Sequence, residues 1–176
     1  MHFSDDLYYL DLGAYRGDTV FEFLQHTKEY KRIIAVEPDI KTYKKLCEAT
    51  QTIENIENIN ACICDTVGTR AFSMSGSRGS AVGGEVEVKS VTVDSILNGD
   101  VATYIKMDIE GEETSATRGA AKTIAKYKPK MQIAAYHRSE DLFSVPEEVL
   151  RLRGDYKIYL RHYPCLPAWD MSYFFI

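Results

Sequence analysis

Leu7-Tyr8-Tyr9-Leu10-Asp11-Leu12-Gly13-Ala14-Tyr15-Arg16-Gly17-Asp18 reads as a buried strand that runs into a glycine turn and then into a helix. The apolar run is too short for a helix and carries two β-favouring tyrosines. Asp18 stands where an N-cap is expected, ahead of Val20, Phe21, Phe23 and Leu24 at helical spacing. The same unit recurs downstream. Arg32-Ile33-Ile34-Ala35-Val36-Glu37 is a second strand, stopped by Pro38. Asp39 then caps a helix with Ile40, Tyr43, Leu46 and Cys47 on one face. A third strand is expected over Ile59 to Cys64 and a fourth within Thr103 to Gly111, followed by a helix from Glu113 to Tyr127. A fifth strand covers Lys130 to Tyr136. Ser144-x-x-Glu147 reads as a capping box with Pro146 in the first helical turn. Strands alternating with helices predict an α/β chain, a largely parallel sheet with helices on both faces. Tyr156 to Tyr163 and Met171 to Ile176 read as late strands. Their connection, Pro164 to Asp170, is too short for a parallel crossover, so they should pair antiparallel. No internal repeat breaks the pattern, and residues 1–176 read as one domain.

Composition narrows the function. The formal charge is −5 and 45% of residues are apolar. That balance argues against a nucleic-acid partner, which is usually met by a basic face. No apolar stretch approaches a membrane span, and Met1-His2-Phe3-Ser4-Asp5-Asp6 lacks a signal-peptide pattern. Cys47, Cys62, Cys64 and Cys165 form no C-x-x-C pair, which predicts a reduced, cytoplasmic setting and no zinc site. Ser73 to Gly84 is Gly/Ser-rich between alternating flanks that resemble a hairpin. It reads either as a surface loop or as a flap over ligand.

In open α/β sheets ligands bind beyond the carboxyl ends of the strands. Gly13-x-x-x-Gly17 therefore marks a candidate nucleotide loop, and Glu37 stands where an acid grips ribose hydroxyls. The charge pattern discriminates between ligands. A dinucleotide wants G-x-G-x-x-G, yet position 15 is Tyr, and Asp11 and Asp18 would repel a phosphate. S-adenosylmethionine, with a sulfonium and an ammonium beside one carboxylate, suits that loop better. The candidate cofactor residues are Asp11, Gly13, Tyr15, Gly17 and Asp18, then Glu37, Pro38, Cys64, Asp65 and Asp108.

On the fourth strand, two-residue alternation puts Ile105, Met107 and Ile109 on one face and Lys106, Asp108 and Glu110 on the other. Buried charges need partners or a cleft. Either Lys106 pairs with Asp108 or Glu110, or the acids reach a reaction cleft, with Glu113 nearby. His137 follows the fifth strand and falls at the same edge. The candidate catalytic residues are Asp108, His137 and Glu110, with His137 or Asp108 as base and Glu110 orienting it. A divalent cation on Asp108, Glu110 and Glu113 would be a variant. Spacing shows no full ligand set, so no metal is expected.

Four blocks resemble the FkbM-type methyltransferases, a branch of the Rossmann-like S-adenosylmethionine-dependent enzymes. They are Leu10-Asp11-Leu12-Gly13-Ala14-x-x-Gly17-Asp18; Ala35-Val36-Glu37-Pro38; Ile105 to Gly111 with Glu113; and Tyr136-His137-x-x-Glu140-Asp141-Leu142. Tyr159-Leu160-Arg161-His162-Tyr163 is also similar. The resemblance implies a seven-stranded, mostly parallel sheet with an antiparallel last strand. It also implies O-methylation of a hydroxyl on a sugar, glycoconjugate or natural product. Asp11, Gly13 and Gly17 would line the methionine part of the cofactor, Glu37 the ribose, and Ala61 to Asp65 the adenine. Asp108 and His137 would face a small-molecule or glycan-like acceptor. One departure stands out. The chain starts almost on its first strand, where related enzymes carry N-terminal helices. This implies a domain cut from a longer protein, or a minimal enzyme relying on the 73–84 loop or on a partner such as a second copy. The rival readings are a non-catalytic cofactor-binding domain and an NAD-dependent sugar-modifying enzyme.

Overall fold

The computed structural model describes residues 6–27, 29–72, 86–163 and 170–176. Along the chain these form β1 (Tyr8–Leu12), α1 (Asp18–His26), β2 (Arg32–Val36), α2 (Ile40–Thr50), β3 (Ile56–Ile59), β4 (Cys62–Ile63), β5 (Gly68–Phe72) and β6 (Val86–Val91). There follow α3 (Val93–Leu97), β7 (Tyr104–Met107), α4 (Glu113–Arg118), α5 (Ala121–Tyr127), β8 (Lys130–Ala134), α6 (Asp141–Leu152), β9 (Ile158–His162) and β10 (Met171–Phe175). The Gly/Ser-rich segment and Cys165 lie outside the described residues.

Seven strands form one sheet in the order β3-β2-β1-β7-β8-β10-β9. All run parallel except β10, the last in sequence, which inserts antiparallel between β8 and β9. Strand alternation sorts the cores. Leu10, Leu12, Ile34, Val36, Ile105 and Met107 meet Val93, Leu97, Ala116, Ile124, Val145 and Val149 of α3 to α6 on one face. Tyr9, Ile33, Ala35 and Tyr104 meet Val20, Phe23 and Leu46 of α1 and α2 on the other. This is the α/β, Rossmann-like sheet with helices on both faces. A small second sheet, β4-β6-β5, pairs β5 antiparallel to β6, so the flanks of the Gly/Ser segment do form a hairpin's two strands.

Several expected boundaries move. The third strand divides in two. Ile56–Ile59 extends the large sheet and Cys62–Ile63 joins the small one, because Asn60 turns the chain by donating its amide to the carbonyls of Glu37 and Pro38 at 2.8 and 2.9 Å. The helix expected over 113–127 breaks at Gly119-Ala120. A Cβ on Gly119 would stand 2.2 Å from the Cys64 carbonyl oxygen, and Asp94 caps the new start by accepting from the Lys122 and Thr123 N–H groups, both at 2.9 Å. Asp39 caps α2 as expected, accepting from Lys41 and Thr42. The face it buries is Thr42, Leu46 and Thr50, however, and Ile40 is exposed. Asp18 does not cap α1. Gly17 does, at φ +90°, and Asp18 sits in the first turn, where its charge favours the helix dipole.

The expected capping box at Ser144 is inside α6, which starts at Asp141. Asp141 closes that start by accepting from the Arg138 N–H at 2.9 Å. Pro146 thus lies mid-helix and leaves the Leu142 carbonyl, four residues back, without a helical donor. The Tyr173 hydroxyl of β10 supplies one at 2.8 Å. Helix α3 was not anticipated from the sequence. Its signal is the Thr92-x-x-Ser95 box, in which each side chain caps the other residue's backbone.

Candidate active site at the carboxyl edge of the sheet

From β1 the chain moves outward through β2 to β3 and then returns to β7 and β8 on the other side. The strand order therefore reverses between β1 and β7, where open α/β sheets place their ligands. The loop after β1 and the turn after β7 meet there. Gly13, at φ +82°, lies so close that a Cβ would stand 1.9 Å from the Asp108 carbonyl oxygen. The Gly13 and Ala14 N–H groups both donate to the Val36 carbonyl at 3.0 Å. At the tip, Tyr15 holds a left-handed φ of 50°, a conformation that costs a side-chain-bearing residue about 1–2 kcal/mol. Its N–H donates to Glu37 Oε2 at 3.1 Å, while Glu37 Oε1 accepts from the Asp39 N–H at 2.9 Å. One buried carboxyl thus ties the loop to the start of α2. Burial pushes it up to about 7, against the lowering effect of the two N–H groups.

Beneath the loop, Asp11 and Lys106 are register partners on β1 and β7. Lys106 Nζ lies 3.2 Å from Asp11 Oδ1, a charge contact without hydrogen-bond alignment, and donates to the Gly13 carbonyl at 3.0 Å. Thr19 donates its hydroxyl to the other Asp11 oxygen. Burial alone would lower the Lys106 pKa, but Asp11 and Asp108 outweigh it and hold the ammonium above its ordinary range. Lys106 therefore pairs with Asp11, correcting the expected partners Asp108 and Glu110. The two-residue alternation ends at Met107, so the later acids are aimed by a turn instead. Asp11 is fully buried beneath the loop. Cys64 is likewise fully buried, its thiol directed at the Thr66 carbonyl. Asp65 is exposed and paired with Arg70 at 3.0 Å. Pro38 offers its carbonyl to Asn60, and Asp18 is exposed on α1.

Beyond β7, Glu110 and Gly111 take consecutive positive φ values of 57° and 96°. That turn folds the chain back and brings three acids around His137. His137 Nδ1 is 2.8 Å from Glu113 Oε1, and Nε2 is 3.4 Å from Asp108 Oδ1 and 3.5 Å from Glu110 Oε2. Tyr136 donates its hydroxyl to Asp108 Oδ1 at 2.9 Å. Burial would lower the His137 pKa, but the Glu113 hydrogen bond and the three acidic charges override it and raise the value. Burial and the Asp108 charge push the Tyr136 phenol upward too, so it remains a donor. Asp108, Glu113 and His137 each bring a ligand-type atom within 4.8 Å of the others. Glu113 stands against Nδ1 of the ring and Asp108 against Nε2. Sequence reasoning missed Tyr136 and Asn60. Tyr136 had a signal, since it stands beside His137 at a strand end, whereas the Asn60 clamp had none.

Residues 11–158 match the methyltransferase FkbM domain. The chain belongs to that family. The FkbM domain is 31% identical to a methyltransferase FkbM from Methylobacillus flagellatus, with a TM-score of 0.85. That alignment covers 100% of this chain and 45% of the other, so the chain spans less than half of the relative's length. The fold is shared more widely. Fibrillarin from Aeropyrum pernix, solved with natively bound S-adenosyl-L-methionine, superposes at a TM-score of 0.61 with 14% identity, covering 100% of this chain and 70% of that one. An rRNA methylase from Streptococcus thermophilus gives 0.63 with 13% identity, covering 98% and 87%. The search of curated proteins found no match to this chain. Among its described residues no helix is long and apolar enough to cross a membrane.

Proposed function

We propose that this FkbM domain transfers a methyl group from S-adenosylmethionine to a hydroxyl on a sugar, glycoconjugate or natural-product acceptor. The observation that carries the reading is the contact of the Gly13–Gly17 loop with Asp108, which sets the candidate cofactor loop directly beside the Asp108–His137 cluster. The residues suit the cofactor. The loop has no third glycine, and an acid, Glu37, stands at its tip with lone pairs to spare for hydroxyl donors. S-adenosylmethionine supplies an electrophilic methyl on a sulfonium.

The chain's own work is positioning and proton handling. The loop, Glu37 and the Lys106–Asp11 pair hold one side of the cleft. On the other side His137 Nε2, in its neutral form, takes the acceptor's hydroxyl proton. Asp108 and Glu110 then stabilise the imidazolium, and Tyr136 keeps Asp108 in place. Because those acids raise the histidine's pKa, the base is free only above that raised value, so turnover should climb with pH through it. The net negative chain favours a small or glycan-like acceptor over a nucleic acid.

Calorimetric titration with S-adenosylmethionine, NAD and ATP tests the cofactor, and methyl transfer to a panel of glycan and polyketide hydroxyls tests the reaction. The reading expects saturable binding of S-adenosylmethionine alone. A folded protein that binds NAD instead, or none of the three, refutes it. Full turnover in both Asp108→Asn and His137→Ala would refute the base assignment.

A further inference from the structure

Glu113 is the most buried acid of the cluster, at 0% exposure. Its Oε1 accepts twice, from the Ile109 N–H at 2.9 Å and at His137 Nδ1 at 2.8 Å, while Oε2 has no hydrogen-bond partner. The Ile109 bond matters because it fixes the carboxylate from a second direction. Glu113 cannot rotate away from the ring without breaking its bond to the half-buried Ile109 N–H, which costs about 1 kcal/mol. The imidazole is held at one nitrogen by a locked acceptor, and its other nitrogen stands beside Asp108 and Glu110.

We propose that Glu113 is the positioning residue of the site, an orienting carboxylate that fixes His137 with its proton on Nδ1 and presents Nε2 to the acceptor. The inference rests on the reading of His137 as the proton acceptor, and adds the group that makes it one. The logic is that of any base oriented by a third group. A neutral imidazole is a donor at one nitrogen and an acceptor at the other, and the partner of the first decides which nitrogen is the base. Asp108 and Glu110 cannot do this, because both stand at Nε2. The other charged or titratable groups around the ring are Tyr136 and Arg138 beside it in sequence and Asp141 at the start of α6. Burial raises the Asp141 pKa, and its Oδ2 is occupied by the Arg138 N–H. None of these reaches Nδ1 in place of Glu113.

Nitrogen-15 spectra of labelled protein test this without acceptor or cofactor, so failure of the methyltransferase reading and failure of this inference are separable. The His137 signals are assigned by their loss in His137→Gln, which separates them from those of the other three histidines. Above the titration midpoint, wild-type His137 should be the Nδ1–H tautomer, against the ordinary preference for Nε2–H. An Nε2–H tautomer in the wild type overturns the proposal with no variant needed. Glu113→Gln keeps an oxygen that can accept both bonds and removes the charge. Its His137 midpoint should fall by roughly one unit or more, the size expected for losing a touching opposite charge. The pH profile of methyl transfer, measured on an acceptor that the panel identifies, should move by the same amount. A purely structural Glu113 would leave the His137 midpoint unchanged in a folded Glu113→Gln, and that result also overturns the proposal.

Discussion

Replacing Gly13 by alanine separates the two demands the cofactor loop places on that residue. The first is conformational. At φ +82° a residue with a Cβ is strained whatever space surrounds it. Gly99 isolates this term, because it sits at φ +93° with nothing within 4 Å of a built Cβ. Gly99→Ala should therefore cost only about 1–2 kcal/mol. Gly17, at φ +90°, adds contacts of 3.3 Å to the ends of the Leu46 and Thr50 side chains. These atoms can give way, so Gly17→Ala should cost about 2–3 kcal/mol. At Gly13 the obstacle is the Asp108 backbone carbonyl, 1.9 Å away. Real Cβ contacts essentially never fall under 3.0 Å, so the two loops must part by the difference, about 1.1 Å. That opening strains the bonds of the Gly13 and Ala14 N–H groups to Val36 and of the Asp108 N–H to Leu12, each 3.0 Å long. Losing two of them adds about 2–3 kcal/mol to the backbone term, for a total near 4 kcal/mol. A domain of this size has a total stability of about 5–15 kcal/mol, so the variant approaches unfolding. Urea denaturation of the three variants measures the series directly, and calorimetry should show S-adenosylmethionine binding weakened most in Gly13→Ala. If Gly13→Ala matched Gly99→Ala within about 0.5 kcal/mol, close to the ordinary scatter of surface substitutions, the claimed contact between loop and β7 turn would be wrong.

Lys106→Met leaves the buried Asp11 carboxylate without its counter-charge and should cost about 3–5 kcal/mol. The double variant with Asp11→Asn should recover much of that loss in urea titrations, and a purely additive result would contradict the pairing. Glu37 predicts a pH effect. Its folded pKa of about 7 lies above the unfolded value near 4.5, so the stability it contributes is complete below pH 4.5 and lost as pH rises through 7. Between about pH 5 and 8 the wild type should lose roughly 2–3 kcal/mol relative to Glu37→Gln, and parallel stability profiles for the two proteins would disprove this. Tyr173→Phe removes the donor that Pro146 makes necessary at Leu142 and should cost about 1–2 kcal/mol. In a Pro146→Ala background the cost should shrink, because the substituted residue then offers the N–H that proline lacks; thermal melts of the four proteins show whether the two changes are coupled.

The sequence alone determined the alternation of strands and helices along the large sheet and the chemistry of its edge. Apolar runs such as Ile33 to Val36, short, β-branched and stopped by Pro38, read as strands buried on both faces, and a glycine at 13 announces a turn wherever the strand lies. Asp39 named the start of α2 correctly because a cap acts within three residues of itself. Local signals failed where a distant group took over. Asp18 yielded the cap to Gly17, and the Ser144 box was overruled by Asp141. The helix over 113–127 broke because Gly119 must pass the Cys64 carbonyl. The site divides in the same way. Asp108, Glu110 and His137 were legible as carboxyl-edge residues from strand parity and position. That Lys106 would choose Asp11 depended on the register of β1 against β7, and that Glu113 would take Nδ1 of His137 depended on the turn at Glu110-Gly111. No spacing encodes either pairing. Strand register and turn geometry bring together side chains that lie far apart along the chain, and burial then makes their partnership obligatory, because an unpaired charge in the core costs more than the fold can spare.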